Sequence, residues 1–334
     1  MSAYFGTHSA TPPKPQPATF LTTYPRGVLP PFRAGEFDPL DLADRKAAQG
    51  LSLSVCLPAR NEEATIGHIV GTVRRDLMAR IGLVDEIVVL DDGSTDATAA
   101  AAREAGARVV TECSVLAGSE PGSGKGNALW KSLYACEGDL VCWVDADIRN
   151  FGSHFVTGLV GPLIDHGDIG FVKGFYDRPL HGEPGGGRVT ELVARPLLSQ
   201  LFPALTAIVQ PLAGEYAGRR EVLDAVPFVE GWGVEIGLLV DISERFGIDT
   251  IAQVDLGIRE HRNRPLADLG PQAHAILVTA LRRAGLGHGG RGTEQLVRYT
   301  SEHELEAIPV EVRERPAMRG VAAYQLAFGR ERSA

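Results

Sequence analysis

Residues 51–63 read LSLSVCLPARNEE, residues 85–96 read DEIVVLDDGSTD, and residues 139–147 read DLVCWVDAD. Each segment contains a short apolar run, rich in strand-forming residues, that is followed directly by carboxylate side chains. The first two apolar runs are followed by segments with helical character, residues 61–81 and 94–106. Continuously apolar strands that alternate with helices predict an α/β fold, in which a mostly parallel sheet is covered by helices on both faces.

The carboxylates that follow these strands are expected to share one rim of the sheet. Right-handed crossovers bring the carboxyl ends of parallel strands to the same edge, which is where such sheets bind ligands. Glu62, Asp92, Asp145 and Asp147 would therefore lie near one another. Taken singly, each cluster could be an ordinary helix cap. Taken together, they predict a site for Mg²⁺ or a similar ion (Mn²⁺, Co²⁺) bound with a diphosphate, because carboxylates gathered at buried strand ends need a compensating cation.

Composition excludes several classes of protein. The chain has 334 residues, of which 44% are hydrophobic, and a formal net charge of −9, which argues against nucleic acid as a partner. Its apolar runs are too short to cross a bilayer, and its first residues are polar and rich in proline, so we expect a cytoplasmic enzyme without a membrane partner. Cys56 and Cys142 lie in apolar runs and predict buried, inert thiols.

The chain divides into three parts by composition. Residues 1–50 hold eight of the 21 prolines and predict an extended, loosely ordered arm. Residues 51–284 form the predicted catalytic domain, with a nucleotide half (51–150) and an acceptor half (151–284), and residues 285–334 are expected to be peripheral. Beyond residue 150, helices are expected at 153–165, 189–201, 219–225, 234–246 and 271–284, and strands at 169–176 and 250–256.

Residues 122–126, GSGKG, imitate a phosphate-binding P-loop. That motif requires a glycine five residues before Gly124, where this chain has Ser119, and a hydroxyl residue after the lysine, where it has Gly126. A glycine-rich turn that opens a helix and directs Lys125 into an anionic site fits these residues better.

Three strings in the second half are also candidates for the site. In GGGRVTE, Gly187, Arg188, Val189 and Thr190 could form an anion pocket at a helix start, although a flexible loop before a capped helix is equally compatible. GWGVEIG places Glu235 at another helix start. HRNRP follows the last strand and supplies two further polar candidates, His261 and Asn263.

These motifs resemble those of the GT-A glycosyltransferases, a Rossmann-like nucleotide-diphospho-sugar transferase fold. More narrowly, GSGKGNALW, GGGRVTELVARPLL, QPLAGEYAGRR, GWGVEIGLL and HRNRPL are similar to the actinobacterial-type mannosyl- and glucosyl-3-phosphoglycerate synthases. The likeness extends in order from Leu51 to Ala284. It implies a homodimer that moves a hexose, with retention of configuration, from a nucleotide sugar to the 2-hydroxyl of 3-phospho-D-glycerate, and that depends on Mg²⁺ or a similar ion.

The same resemblance implies a role for each matching residue. The nucleotide sugar would be bound by Pro58, Ala59, Arg60, Glu62, Asp92, Lys125, Asp145, Ala146 and Asp147. The acceptor would be bound by Gly187, Arg188, Val189, Thr190 and Asn263, and the metal by Asp147 and His261. Glu235, Lys125 and the backbone carbonyl near Leu212 would act at the reacting centre. Since no carboxylate stands out as a covalent nucleophile, we expect front-face attack by the acceptor hydroxyl.

Two departures from the glucosyl enzymes bear on the donor. Trp232 stands where they have tyrosine before Gly-Val-Glu, and Asp92 stands where they have serine. A carboxylate at position 92 could accept hydrogen bonds from uracil or from guanine. These departures favour GDP-mannose as the donor, with UDP-glucose or GDP-glucose as the alternative.

Two further interpretations remain open. Polyprenyl-phosphate hexosyltransferases share P-A-x-N-E and D-D-G-S-T-D, but usually carry a membrane anchor or an amphipathic platform. A non-catalytic nucleotide-sugar sensor would bind the donor without turnover. The chain has all four of the residues that the resemblance assigns to phosphate, metal and acceptor binding, which argues against a site that has lost its catalytic function. These residues are Lys125, Asp147, Arg188 and His261.

Overall fold

A computed structural model describes residues 31–180, 183–184, 187–260, 265–287, 295–300, 302–310 and 312–329. Its strands are β1 Phe32–Arg33, β2 Leu53–Ala59, β3 Glu86–Asp91, β4 Arg108–Thr111, β5 Leu140–Trp143, β6 Phe171–Asp177, β7 Pro179–Leu180, β8 Glu183–Pro184, β9 Tyr216–Arg219, β10 Phe228–Val229, β11 Ile251–Ile258, β12 Gln295–Tyr299, β13 Leu305–Pro309 and β14 Glu314–Arg315. Its α-helices are α1 Pro39–Ala48, α2 Ile66–Thr72, α3 Thr98–Ala105, α4 Gly124–Ala135, α5 His154–Asp165, α6 Arg195–Leu201, α7 Arg220–Leu223, α8 Val234–Phe246, α9 Leu266–Arg283 and α10 Ala322–Phe328.

Eight strands form one central sheet in the order β1-β11-β6-β9-β5-β2-β3-β4. Strand β9 is antiparallel to both of its neighbours, and every other adjacent pair is parallel. The seven remaining strands therefore point the same way, and the turns that follow β2, β3, β5, β6 and β11 leave from one edge. The predicted α/β class, with a mostly parallel sheet, is confirmed.

Two apolar cores cover the two faces of the sheet. Helices α1, α2, α3 and α5 pack on one face, where they meet buried valines, leucines and isoleucines of β2, β3, β6 and β11. Helices α4, α6, α8, α9 and α10 pack on the other face, around Trp143 and Tyr216. Cys56 and Cys142 are buried in these cores, as predicted for inert thiols.

The segment before residue 51 is more ordered than the predicted arm where the structure describes it. Asp38 caps α1 by accepting a hydrogen bond from the Leu40 N–H at 2.9 Å, and Leu42 of that helix is fully buried. Strand β1 pairs with β11 at the edge of the sheet. Only residues 31–50 of the predicted arm can be compared, since residues 1–30 lie outside the described part.

Residues 314–328 of the C-terminal segment also pack into the molecule, whereas the sequence predicted a peripheral tail; the hairpin of β12 and β13 is largely exposed. Strand β14 pairs with β10, and Met318 and Tyr324 are buried in the second core. Arg315 places its Nε 2.7 Å from Glu230 Oε1. Within the described residues, no helix combines the length and apolarity needed to cross a membrane.

Candidate active site

The turns after β2 and β3 are locked to each other by hydrogen bonds. The Asn61 N–H donates to Ser94 Oγ at 3.0 Å, and the Glu62 N–H donates to Thr98 Oγ1 at 2.7 Å. Asp96, in contrast, accepts from the Thr98 N–H at 3.0 Å and so caps α3. The capping interpretation therefore applies to Asp96 of the second cluster. Glu62, Asp92, Asp145 and Asp147 line a cavity beside these turns instead.

That cavity has a volume of about 340 Å³ and lies at the carboxyl edge of the sheet. Its wall consists of Pro58, Ala59, Arg60, Glu62, Asp92, Gly124, Lys125, Ala128, Asp145, Ala146, Asp147 and Trp232. All nine residues that the sequence predicted to bind a nucleotide sugar are in this wall. Four separate segments of the chain supply them, so the predicted convergence is present in the structure.

Asp92 lies on the half of the cavity that β3 builds. Burial raises the pKa of its carboxyl group, although the Arg60 guanidinium, 3.8 Å away, opposes that effect. The Asp92 N–H donates to the Ala59 carbonyl at 2.9 Å, which fixes the backbone of the turn. A partly desolvated carboxylate of this kind is an acceptor suited to the N–H groups of a base.

Lys125 enters the cavity from the first turn of α4, where Gly124 has a φ of +74°. Its Nζ lies 2.8 Å from Asp145 Oδ1 and 3.0 Å from Glu235 Oε1. Burial lowers the pKa of Lys125, but these two carboxylates outweigh burial and raise the pKa well above its usual range. Burial raises the pKa of Asp145. The positive charges of Lys125 and Arg259 outweigh burial and lower this pKa below its usual value, so Asp145 stays ionised.

Arg259 is part of the site, and the sequence analysis did not single it out. It follows β11 and places Nη2 2.9 Å from Asp145 Oδ2 and 2.6 Å from Asp147 Oδ1. Its Nε lies 3.2 Å from Oε1 of Glu215, which is fully buried. The one signal that could have found it is its position, since it directly follows β11 at the same edge as the predicted acidic rim.

A close backbone approach completes this cluster. A Cβ on Gly214 would stand 2.2 Å from Oδ2 of Asp145, so no larger residue fits there without displacing the carboxylate. Half-buried Leu212, whose carbonyl was predicted to face the reacting centre, belongs to the same turn. Lys173 donates to the Ala213 carbonyl and holds the turn from β6.

Two carboxylates of the cavity, Asp145 and Asp147, differ in their suitability as ligands of a divalent ion. Both oxygens of Asp145 are ion-paired, one with Lys125 and one with Arg259. The Asp147 side chain is 34% exposed and lines the cavity, and only its Oδ1 contacts Arg259 among the described residues. Among the residues described, no three or more His, Cys, Asp or Glu side chains form a metal cluster. Mg²⁺ and Mn²⁺ commonly take one or two carboxylates together with substrate phosphates, so Asp147 and a bound diphosphate fit such an ion. His261 lies outside the described residues.

Glu235 and Trp232 reach the site together because a short helical turn leads into α8. The turn, Gly231–Gly233, lies against the start of α4, where a Cβ on Gly124 would stand 3.0 Å from Gly231 Cα. Trp232 lines the cavity and Glu235 is buried beside Lys125. Two glycine-rich strings that are about a hundred residues apart in sequence thus form adjacent walls.

The predicted acceptor segment lies at a helix start, as expected, because a π-helix, Thr190–Ala194, begins there and leads directly into α6. Gly187 has a φ of +84°, and its carbonyl accepts from the Glu191 N–H at 2.9 Å. Val189 and Thr190 are buried, and Arg188 is half-buried. Asn263 lies outside the described residues.

A sheet of this order with an acidic rim is that of a GT-A glycosyltransferase, and the model of glycosyl transferase family 2 matches residues 54–224. The glucosyl-3-phosphoglycerate synthase of Petrotoga mobilis is 44% identical over 313 residues, which are 90% of this chain and 96% of that protein. That of Mycolicibacterium paratuberculosis is 48% identical over 292 residues, or 84% of this chain and 88% of that protein. The chain therefore belongs to the glucosyl-3-phosphoglycerate synthase family within glycosyl transferase family 2.

A solved structure agrees with this assignment. The glucosyl-3-phosphoglycerate synthase of Mycobacterium tuberculosis, in complex with Mn²⁺, UDP-glucose and phosphoglyceric acid, superposes with a TM-score of 0.75 at 46% identity. The match covers 87% of this chain and 96% of that one. These relatives favour the glucosyl alternative over the mannosyl interpretation that Trp232 and Asp92 suggested from the sequence.

Proposed function

We propose that this protein transfers glucose from UDP-glucose to the 2-hydroxyl of 3-phospho-D-glycerate, with retention of configuration and with Mg²⁺ or Mn²⁺ as cofactor. The observation that carries the proposal is the single cavity lined by all nine predicted donor residues, with Lys125 and Arg259 beside its carboxylates. The relative from M. tuberculosis was crystallised with Mn²⁺, UDP-glucose and phosphoglyceric acid, which supports this choice of substrates. A homodimer and a cytoplasmic location stay predictions.

The donor end of the cavity suits a nucleoside diphosphate. Asp92, with a carboxylate partly removed from water, can accept the N3–H of uracil. The exposed guanidinium of Arg60 adds positive charge at this end. Since a guanine could also donate to Asp92, this residue alone does not decide the donor, and the glucosyl relatives provide the reason for preferring UDP-glucose to GDP-mannose.

The site residues support charge stabilisation at the bond that breaks. A divalent ion held by Asp147, with His261 as a second ligand, would stabilise negative charge on the departing diphosphate. Lys125 stays protonated because Asp145 and Glu235 flank it, so it adds a fixed cation to the same end of the cavity. In this proposal, the Leu212 carbonyl faces positive charge developing at the anomeric carbon.

The carboxylates near the reacting centre are unsuited to act as nucleophiles. Asp145 binds Lys125 and Arg259, and Glu235 binds Lys125. We therefore assign the attack to the acceptor hydroxyl from the same face that the diphosphate leaves, with the hydroxyl proton passing to the diphosphate. Gly187, Arg188, Val189 and Thr190, with Asn263, would hold the phosphate-bearing acceptor.

The test is a donor panel with purified protein, 3-phosphoglycerate and Mg²⁺ in buffer without detergent. UDP-glucose should give a product with the mass of glucosyl-3-phosphoglycerate, at a higher kcat/KM than GDP-glucose or GDP-mannose. A preference for GDP-mannose would restore the mannosyl interpretation and overturn the proposal. Donor binding by calorimetry without turnover on any acceptor would favour a sensor, and activity confined to a polyprenyl phosphate would favour the lipid acceptor.

A further inference from the structure

Arg178 is a cation at the carboxyl end of β6 that forms no ion pair with a carboxylate in the described part of the chain. It follows β6, at the edge of the sheet that carries the cavity. Its Nη2 donates to Tyr176 Oη at 2.6 Å, and its guanidinium carbon lies 4.8 Å from the centre of the Tyr176 ring. Its Nε is buried and has no hydrogen-bond partner within that part of the chain. Such an atom is costly unless a ligand accepts from it.

Arg178 is linked through the Tyr176 hydroxyl to Arg259, which binds Asp145 and Asp147. Tyr176 Oη, which holds Arg178, accepts a second hydrogen bond from Arg259 Nη1 at 3.0 Å. The positive charge of Arg178 contributes to lowering the pKa of Asp145. Arg259 uses its donors on Asp145, Asp147 and Tyr176, whereas Arg178 uses one donor on a neutral hydroxyl. Of the two arginines, Arg259 is ion-paired with three carboxylates, so Arg178 is the one whose charge is left for a substrate anion.

We propose that Arg178 binds the carboxylate of the acceptor. This inference rests on the proposed function, in which the acceptor carries both a carboxylate and a phosphate. The helix start at Gly187–Thr190, with backbone N–H groups and Arg188, suits the phosphate. The carboxylate is bonded directly to the carbon that bears the attacking hydroxyl, so it lies nearer to the reacting centre than the phosphate does. Arg178, beside the Asp145 cluster, is placed for that nearer anion.

The experiment compares two acceptors that differ in the carboxylate. 3-Phosphoglycerate and glycerol 3-phosphate are titrated by calorimetry into protein that holds UDP and Mn²⁺. Arg178→Ala should weaken the binding of 3-phosphoglycerate about tenfold or more, and that of glycerol 3-phosphate less than about threefold. The affinity of Arg178→Lys for 3-phosphoglycerate should lie between those of the wild type and Arg178→Ala, because lysine keeps the charge and loses the fork-shaped donor pair.

Arg149→Ala is the matched control, since Arg149 is exposed in the turn after Asp147 at the same edge of the sheet. It removes the same charge and should change neither affinity more than about twofold. Equal losses for both acceptors in Arg178→Ala, no loss for either, or an equal loss in Arg149→Ala would each overturn the inference. Thermal unfolding of each variant identifies a folding defect, in which case Arg178→Lys provides the comparison.

The two proposals fail in different ways. If the wild type neither binds nor glucosylates 3-phosphoglycerate, the proposed function fails, and the role of Arg178 fails with it. If the wild type does both and Arg178→Ala keeps the wild-type ratio of the two affinities, only the role of Arg178 is overturned.

Discussion

Arg259 Nη2 lies 2.6 Å from Oδ1 of Asp147, 112 residues away in sequence. The same guanidinium contacts fully buried Glu215, so one side chain neutralises three carboxylates, two in the turn after β5 and one directly before β9. We expect Arg259→Met to destabilise the protein by about 3–5 kcal/mol, because it leaves fully buried Glu215 without its cation. Urea unfolding with tryptophan fluorescence measures this change.

The same variant should respond more strongly to ligands than the wild type does. Mn²⁺ with UDP should raise the Tm of Arg259→Met by more than that of the wild type, because added positive charge then offsets the uncompensated carboxylates. Arg149→Ala, which removes an exposed arginine, serves as the reference. Equal stability of Arg259→Met and the wild type would show that the carboxylates do not depend on this cation.

Asp147→Asn should separate catalysis from stability. Asp147 is partly exposed, and in this variant Arg259 keeps its ion pairs with Asp145 and Glu215. The Tm should therefore stay within a few degrees of that of the wild type. The turnover number should fall about 100-fold or more, because the carboxylate that fits the ion is lost. Steady-state kinetics at several Mg²⁺ concentrations check this. A wild-type rate with an unchanged Mg²⁺ dependence would eliminate Asp147 as the metal ligand.

Gly214→Ala tests the close approach of the 212–215 turn to Asp145. The added Cβ would stand 2.2 Å from the carboxylate oxygen, so either the turn or Asp145 must move. We expect kcat/KM to fall more than tenfold, since small displacements of a positioned group are costly to catalysis. Gly118→Ala is the control, because a Cβ there meets nothing within 4 Å. Similar kinetics for the two variants would contradict the importance of this contact.

The sequence predicted well those parts in which local pattern and chemistry agree. The strands that end at Ala59, Asp91 and Trp143 are continuously apolar, and their acidic turns lie at one edge. Helix α8 has the predicted bounds, Val234–Phe246, because its apolar spacing is regular. Parallel-sheet topology then brings these segments together without any further information from the sequence.

The sequence did not predict the features that depend on contacts between distant segments of the chain. Strand β9, Tyr216–Arg219, is four residues long and includes a glycine, and it exists because β5 and β6 pair with it on both sides. Arg259 carries no motif, since a single arginine after a strand is common. Trp232 was interpreted as a sign of a mannosyl donor, although substitution of one aromatic residue leaves several donors possible. Helix α1 had a recognisable start in Asp38-Pro39 that the proline count of the arm obscured.

Lys173 is 1% exposed, and its Nζ lies 4.4 Å from the centre of the Tyr216 ring. Burial lowers its pKa from 10.5 to about 7. Between about pH 7 and pH 10 the unfolded chain therefore binds a proton that the native protein does not, so the contribution of Lys173 makes the free energy of unfolding rise with pH in this window. The slope from one such proton is at most about 1.4 kcal/mol per pH unit.

Lys173→Met removes this titrating group and should flatten the pH dependence of stability. Relative to the wild type, the variant should be most stable near pH 7, where the native protein carries the buried charge, and should lose that advantage towards pH 9. Urea unfolding at pH 6.5, 7.5, 8.5 and 9.5 gives both curves. Because the variant also loses the hydrogen bond to the Ala213 carbonyl, the difference in slope is the diagnostic quantity, whatever the offset between the curves. Parallel curves would mean that Lys173 stays protonated across the window, with Glu215, Glu235 and Asp145 compensating its charge.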